Sequence, residues 1–342
     1  MVGIHGLWHM SNYGSVLTYY GLYKYVEKLG YNPIFLHVPG DEQHPFKPSV
    51  LSSNFMQLNG LKISEQVSGD KFGEYSNSIC NQFIVGADQM WRPQNFVNWG
   101  YDIALDFVPE NKTRLAYGTS IGTDSFNCST EVLDKVTKEL QMFKGIGCRE
   151  DSMVHILKDK CGVDGTLVVD PILLLDKEDY YQIAELSKIN TNNRYILSYI
   201  LDPTKEKMDL IKQVEKYLGI KSINVLDAET HFYNRHKEQF TLGNIINPTE
   251  QSWLKLIKDA EFIITDSYHG SVVVTLLNKP AFIIKNSQRG LTRFESFETM
   301  RGEQFKEHKI DTTILDADYS NINVNINKWR DFSREWLKEK LK

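Results

Sequence analysis

The residue best placed for proton chemistry in this chain is a histidine that follows a strand and opens a helix. It is His269, in the stretch EFIITDSYHGSVVVTLLNKP, residues 261–280. Residues 261–265 read as a short buried strand built on the apolar run Phe262-Ile263-Ile264. Asp266 and Ser267 break the run. Val272, Val273, Leu276 and Leu277 then recur at helical spacing until Asn278, Lys279 and Pro280 stop the helix. A helix N-terminus offers unpaired N–H groups and a partial positive charge, so the turn Asp266-Ser267-Tyr268-His269-Gly270 suits an anion. The imidazole adds a titratable donor at the same place.

Other turns share the property of lying just past a predicted strand with polar side chains where a sheet would bind a ligand. They are Asn12-Tyr13-Gly14, Asp88-Gln89 (running on to Trp91), Ser120, Arg149-Glu150 and Asp170. Asn, Asp and Gly form turns for their own reasons, so some of these are structural. Asn12-Tyr13-Gly14 serves equally as a tight turn or a ligand loop, and Asp170-Pro171 reads first as a turn or N-capping device. Arg149 is the best anion clamp, because guanidinium binds carboxylate or phosphate bidentately. Its bland alternative is an ion pair with Glu150 or a neighbouring carboxylate. None of the remaining histidines has a comparable setting, and His9 is the one that could line the first-domain side of the cleft. There is no phosphate-loop or dinucleotide fingerprint and no metal-ligand spacing, so no cofactor and no metal are expected.

The elements that must position these residues alternate. Strands are predicted over 2–8, 31–38, 82–85, 113–120, 144–148 and 167–169, with helices over 16–29, 130–143 and 151–160 between them. After a polar stretch ending at Asn193 the alternation restarts, with strands at 194–201, 222–226, 261–265 and 281–284 and helices at 204–218 and 249–258. Such alternation predicts a mostly parallel α/β sheet in each half, with ligands beyond the carboxyl ends of the strands. The expected organisation is two Rossmann-like domains facing a cleft, 1–187 and 188–325. An insertion of loops and short helices at 39–78 forms either a lid or an irregular connection. An amphipathic helix at 326–342, with Trp329, Phe332, Trp336 and Leu337 on one side, either crosses back to the first domain or packs a partner.

At 342 residues the chain exceeds what one core usually serves. With 41% hydrophobic and 24% charged residues it has a globular composition. A net charge of −5 without a basic block argues against nucleic acid. Cys80, Cys128, Cys148 and Cys161 are widely spaced, which fits a reducing cytoplasm. No apolar run is long enough to span a bilayer, and no signal peptide is evident.

Six blocks resemble the polysaccharide pyruvyl transferases in order and spacing: SNYGSVLTYYGLYKYVEKLGY, FIVGADQMW, AYGTSIG, GCREDS, VVDPILLL and ITDSYHGSVVVTLLNKP. The resemblance covers roughly residues 2–290. It implies a GT-B-like fold with the first domain on the acceptor side. The implied activity moves the pyruvyl group of phosphoenolpyruvate onto two hydroxyls of one sugar, in a surface polysaccharide or its lipid-linked precursor. Peripheral contact with the inner face of the membrane carrying that acceptor is then expected. The resemblance makes His269 the general acid, with Asp88 or deprotonated His269 as the base, and Arg149 the family's arginine. Better-studied members carry an arginine where this chain has Ser267, so Arg289 or Arg293 is expected to supply the missing charge. The alternatives are a GT-B glycosyltransferase using a nucleotide sugar and a non-catalytic sugar-binding member of the fold.

Overall fold

The computed structural model describes residues 1–9, 12–37, 50–67, 69–226 and 242–342. Its first half contains, in chain order, β1 (Val2–His5), α1 (Tyr13–Lys28), β2 (Pro33–Phe35), α2 (Val50–Leu58) and α3 (Gly69–Ile79). β3 (Gln82–Asp88), α4 (Pro93–Trp99), β4 (Thr113–Thr119), α5 (Thr130–Leu140), β5 (Gly145–Cys148), α6 (Asp151–Ile156), β6 (Thr166–Leu167) and α7 (Lys177–Ala184) complete it. The second half contains β7 (Ile196–Tyr199), α8 (Lys205–Leu218), β8 (Ser222–Val225), β9 (Ile245–Ile246), α9 (Glu250–Asp259) and β10 (Phe262–Thr265). It ends with α10 (Tyr268–Leu276), β11 (Ala281–Ile283), α11 (Leu291–Arg301) and α12 (Ser320–Leu341).

The strands form two all-parallel sheets, ordered β2-β1-β3-β4-β5-β6 and β11-β10-β7-β8-β9. In the first, the order reverses between β1 and β3; in the second, between β7 and β10. Helices on opposite faces diverge at such a switch point and leave a crevice beyond the strand ends. Asp88 ends β3 and Asp266 follows β10, so both crevices open where the sequence concentrates polar turns.

Each sheet is buried on both faces, so side chains alternate between two apolar layers. Ile4, Ile84 and Leu115 join Val16, Leu17 and Tyr20 of α1, whereas Phe83, Val85 and Ala116 pack into a separate cluster behind the sheet. In the second sheet, Leu197 and Ile263 face inward, and Ile196, Ile264 and Phe262 pack against Met208, Ile211 and Val214 of α8. The cluster around α1 continues into the second half through Leu197, Trp253 and Val272. The two halves therefore share one apolar layer, and the cleft is confined to the strand ends.

α12 runs from the second half to the first. Asn325 Nδ2 donates to Arg301 O, while Ser333 Oγ accepts from Val169 N and Leu341 O accepts from Tyr31 Oη and Gln82 Nε2. Arg330 and Arg334 reach Asp176 and the carbonyls of Leu173 and Leu174. The helix begins at Ser320 and not at 326, because Ile322 and Ile326, four apart, are both buried along its first two turns. Residues 39–49 of the expected insertion and the end of the strand predicted to reach Val38 lie outside the described residues. Within the described part of the insertion, 50–58 and 69–79 are helical. Two helices not foreseen in the sequence, α4 and α11, flank the cleft.

Candidate active site

Asp88, Arg149 and His269 come together across the two sheets. Asp88 stands at the end of β3 with φ 81°, a left-handed conformation costly for a non-glycine residue. A register shift in the neighbouring strand between Tyr117 and Thr119 adds to the local bend. Arg149 follows β5, and its backbone N–H is held by Thr119 O. Its guanidinium is fully buried: Nη2 donates to Asp88 Oδ1 at 2.8 Å, and Nη1 lies 3.1 Å from Asp170 Oδ2 and 2.9 Å from His269 Nε2. Arginine has no acceptor, so His269 Nε2 accepts this bond and the neutral ring carries its proton on Nδ1. His269 Nε2 is also 3.6 Å from Asp170.

Asp170 is the partner that a turn reading understates. It caps the following turn through Ile172 N at 3.0 Å and accepts from Thr18 Oγ1 at 3.3 Å, while its second oxygen binds Arg149. A capping residue and an ion-pair partner look identical in sequence, and only the fold reveals the second role.

Burial governs the titration of these groups. It pulls His269 down from 6.5 to about 4, against the opposing pull of Asp88 and Asp170 and with help from Arg149 and Arg293. Burial would raise Asp88, but Arg149, His269 and Arg293 outweigh it and hold the carboxyl well below the usual range. Burial would lower Arg149, yet the two aspartates keep it firmly charged. Arg293 is lowered to about 10, first by burial and then by Arg149. In this state Asp88 is ionised, Arg149 is charged and His269 is neutral, with Asp170 on the second guanidinium nitrogen.

Helix α10 sets the histidine. Ser267 is its N-cap, with Oγ accepting from Gly270 N at 3.1 Å. Tyr268 is buried, and its ring centroid lies 5.2 Å from the Arg149 guanidinium and 5.0 Å from that of Arg293. Gly14, in the first turn of α1, packs directly on His269: a Cβ there would stand 2.2 Å from His269 Cβ and 2.6 Å from Nδ1. The glycine is required by this close approach and not by its backbone angles.

The remaining predicted residues divide. Asn12 caps α1 by accepting from Ser15 N. Tyr13 is buried, stacks on Trp253 at 5.6 Å and donates to Asn247 Oδ1 and Pro248 O, which ties α1 to the second half. Glu150 does not pair with Arg149; its Oε1 gathers Ser120 Oγ, Ile121 N and Gly122 N at 2.8–2.9 Å and shapes that turn. Asp266 faces its own domain, taking Leu201 N, Lys207 Nζ and Asn286 Nδ2. Trp91 is buried with Nε1 on Ile103 O, so the expected ligand contact is a core residue. Gln89 Nε2 bridges the cleft to Arg289 O at 2.9 Å, and a Cβ on Gly290 would lie 2.4 Å from Gly122 O, so the two loops touch.

Cations border the aspartates. Arg293, on the first turn of α11, places Nη1 3.6 Å from Asp88 Oδ1. Arg289 Nε binds Asp202 Oδ2 at 2.7 Å. Arg92, which sequence reasoning passed over, precedes Pro93 at the start of α4; its Nε is buried without a hydrogen-bond partner among the described residues, and it feels the charge of Asp88. The signal available in sequence was its place just after the Asp88-Gln89 turn. Among the described residues, no cluster of three or more His, Cys, Asp or Glu could hold a metal ion. No helix among them is long and apolar enough to cross a membrane.

The architecture is that of the GT-B fold. The crystal structure of Anabaena Alr3699/HepE in complex with UDP and glucose covers 99% of this chain and 98% of its own, with 9% identity and a TM-score of 0.59. The UDP-GlcNAc 2-epimerase of Methanocaldococcus jannaschii covers 98% of each chain with 13% identity and a TM-score of 0.55. A glycosyltransferase from Rickettsia africae ESF-5 covers 100% of this chain and 98% of its own, with 14% identity and a TM-score of 0.51. At such identities the likeness is one of fold. No curated protein matches the chain significantly. The family model for polysaccharide pyruvyl transferase, however, matches residues 12–288, and the chain belongs to that family.

Proposed function

We propose that the chain transfers the pyruvyl group of phosphoenolpyruvate to two hydroxyls of one sugar in a surface polysaccharide or its lipid-linked precursor. The observation that carries this reading is the joined Asp88–Arg149–His269–Asp170 constellation, bordered by arginines from both halves, in a chain of this family. The balance is simple. The methylene carbon of the donor gains a proton and becomes a methyl group, C2 forms two bonds to sugar oxygens, and its bond to the phosphate oxygen breaks. Of the two hydroxyl protons, one replaces the proton spent on carbon and the other leaves with phosphate.

His269 is the acid in this proposal. Its neutral resting ring fits a sequence in which the anionic donor arrives first and raises the histidine pKa. The same ring, once deprotonated, is a better base for the sugar hydroxyl than Asp88, whose carboxyl is held too low to take a proton readily. In the resting ring Arg149 fixes His269 Nε2. Proton uptake there breaks that bond and leaves Asp170 Oδ2, 3.6 Å away, as the partner, so the aspartates act first through Arg149 and then on the acid directly. Arg149 is buried and engaged with internal partners, so it positions the acid, and Arg293, Arg289 and Arg92 bind the donor carboxylate and phosphate. Ser267 leaves the donor to those arginines because it serves as a helix cap. A lipid-linked acceptor would bring the chain to the inner membrane face as a peripheral protein.

A thermal-shift panel tests the reading. Phosphoenolpyruvate is expected to raise the Tm, and nucleoside diphosphates to leave it unchanged. Stabilisation by UDP or another nucleoside diphosphate but not by phosphoenolpyruvate would replace this reading with a nucleotide-sugar glycosyltransferase. Stabilisation by oligosaccharide alone would favour a non-catalytic sugar-binding protein.

A further inference from the structure

Away from the cleft, edge strand β11, the last turn of α11, residues 302–319 and the start of α12 enclose a cavity of about 270 Å³. Arg301 lines it with a side chain only 5% exposed. Its Nε and Nη1 have no hydrogen-bond partner among the described residues. Nη2 is 3.7 Å from Glu303 Oε1, beyond hydrogen-bond reach, and that glutamate side chain is 41% exposed. One face of the guanidinium lies 4.5 Å from the Phe305 ring centroid. A cation in the last turn of a helix ordinarily complements the dipole from solvent. Arg301 does so while nearly buried, and burial pulls its pKa down against Tyr319, Glu303 and Glu298. Nε and Nη1 are sealed from solvent, so Nη2 is the nitrogen that a ligand in the cavity can reach, and a counter-group there offsets the cost of burying the guanidinium.

The rest of the cavity selects that counter-group. Phe282, Phe305, Ile314 and Ile322 supply apolar walls, and the ionisable lining holds three cations against four carboxylates, counting Arg301 among the cations. That balance disfavours a dianion such as phosphate or a nucleotide, and tolerates one negative charge delivered to the arginine. The space equals about nine waters at ~30 Å³ each, which is the size of a single small molecule. We propose that this cavity binds a small monocarboxylate with an apolar body, its carboxylate on Arg301 and its body against Phe282 and Phe305.

Titration calorimetry and thermal shift on the full chain with phenylacetate test the proposal. Phenylacetate is expected to bind and raise the Tm, with 2-phenylethanol and inorganic phosphate at least tenfold weaker. Arg301→Met keeps the stem and removes the charge, and is expected to weaken phenylacetate at least tenfold. Ala317→Trp, on the exposed rim of the same cavity, is expected to abolish binding by occupancy, and it decides the matter alone if Arg301→Met does not fold. Neither residue touches Asp88, Arg149 or His269, so the phosphoenolpyruvate response stays intact in both variants. No binding of phenylacetate to the unmodified chain, or binding undiminished in these variants, overturns the proposal.

Discussion

Donor binding is predicted to be coupled to proton uptake by His269. In the free protein burial holds this ring at about 4, so at pH 6 almost none of it is charged. One net negative charge placed about 5 Å from the ring contributes about 3.3 kcal/mol at an effective dielectric of about 20. At about 1.36 kcal/mol per unit, that raises the pKa by about 2.4 units, to slightly above 6. Phosphoenolpyruvate carries more than one charge, and the bordering arginines offset the excess. Most of a proton should therefore be taken up on binding at pH 6. Calorimetric titrations with phosphoenolpyruvate in buffers of different ionisation enthalpy measure this directly. The uptake is expected to disappear in His269→Gln. A binding enthalpy independent of buffer, or a His269 ring titrating near 6.5 in the free protein by NMR, refutes the electrostatic reasoning.

Further consequences concern the support of that ring. Gly14→Ala puts a methyl 2.2 Å from His269 Cβ, so turnover is expected to fall about 100-fold, the order seen for small misplacements of catalytic groups; steady-state kinetics beside the Tm separate displacement from unfolding. Because the folded pKa of His269 is depressed from 6.5 to about 4, the unfolded chain binds the proton first. The associated stability, up to about 3 kcal/mol, is complete above pH 6.5 and is lost as pH falls towards 4. Urea melts between pH 7 and 4 should show a shallower decline in His269→Gln, and an unchanged slope contradicts the assignment. Arg149→Met removes the cation shared by Asp88 and Asp170, leaving Asp88 only the more distant Arg293, and is expected to cost about 3–5 kcal/mol in denaturant melts. Leu337→Ala, at a fully buried position where α12 reaches the first half, is expected to cost about 2–5 kcal/mol without changing the response to donor.

What the sequence discloses depends on how local the controlling physics is. The strand before His269 and the helix after it are legible because a fully buried strand is an apolar run and a capped helix carries its own start signal, here Ser267. The pairing of the two halves is not legible. Asp170 looks like a cap in sequence and is one, but its second oxygen finds Arg149 only after β5 and β6 lie side by side. Trp91 fails as a ligand residue for the opposite reason: an aromatic near a polar turn looks available until Ile103 O and the core claim it. Arg149 stands at the expected strand end, yet its partners are the chain's own carboxylates, which no local pattern encodes. α11 is hard to read because both faces are largely buried, so no amphipathic stripe marks it, and its role in carrying Arg293 to Asp88 follows from tertiary packing alone.

The central claim is the transfer itself, with His269 as its acid. Incubating the protein with phosphoenolpyruvate and a glycan acceptor extract, and following phosphate release beside the new ketal methyl resonance by NMR, measures both products of one event. The two are expected to appear in equal amounts, and His269→Gln is expected to abolish both while still folding. Equal activity in that variant, or phosphate released without a ketal, contradicts that claim.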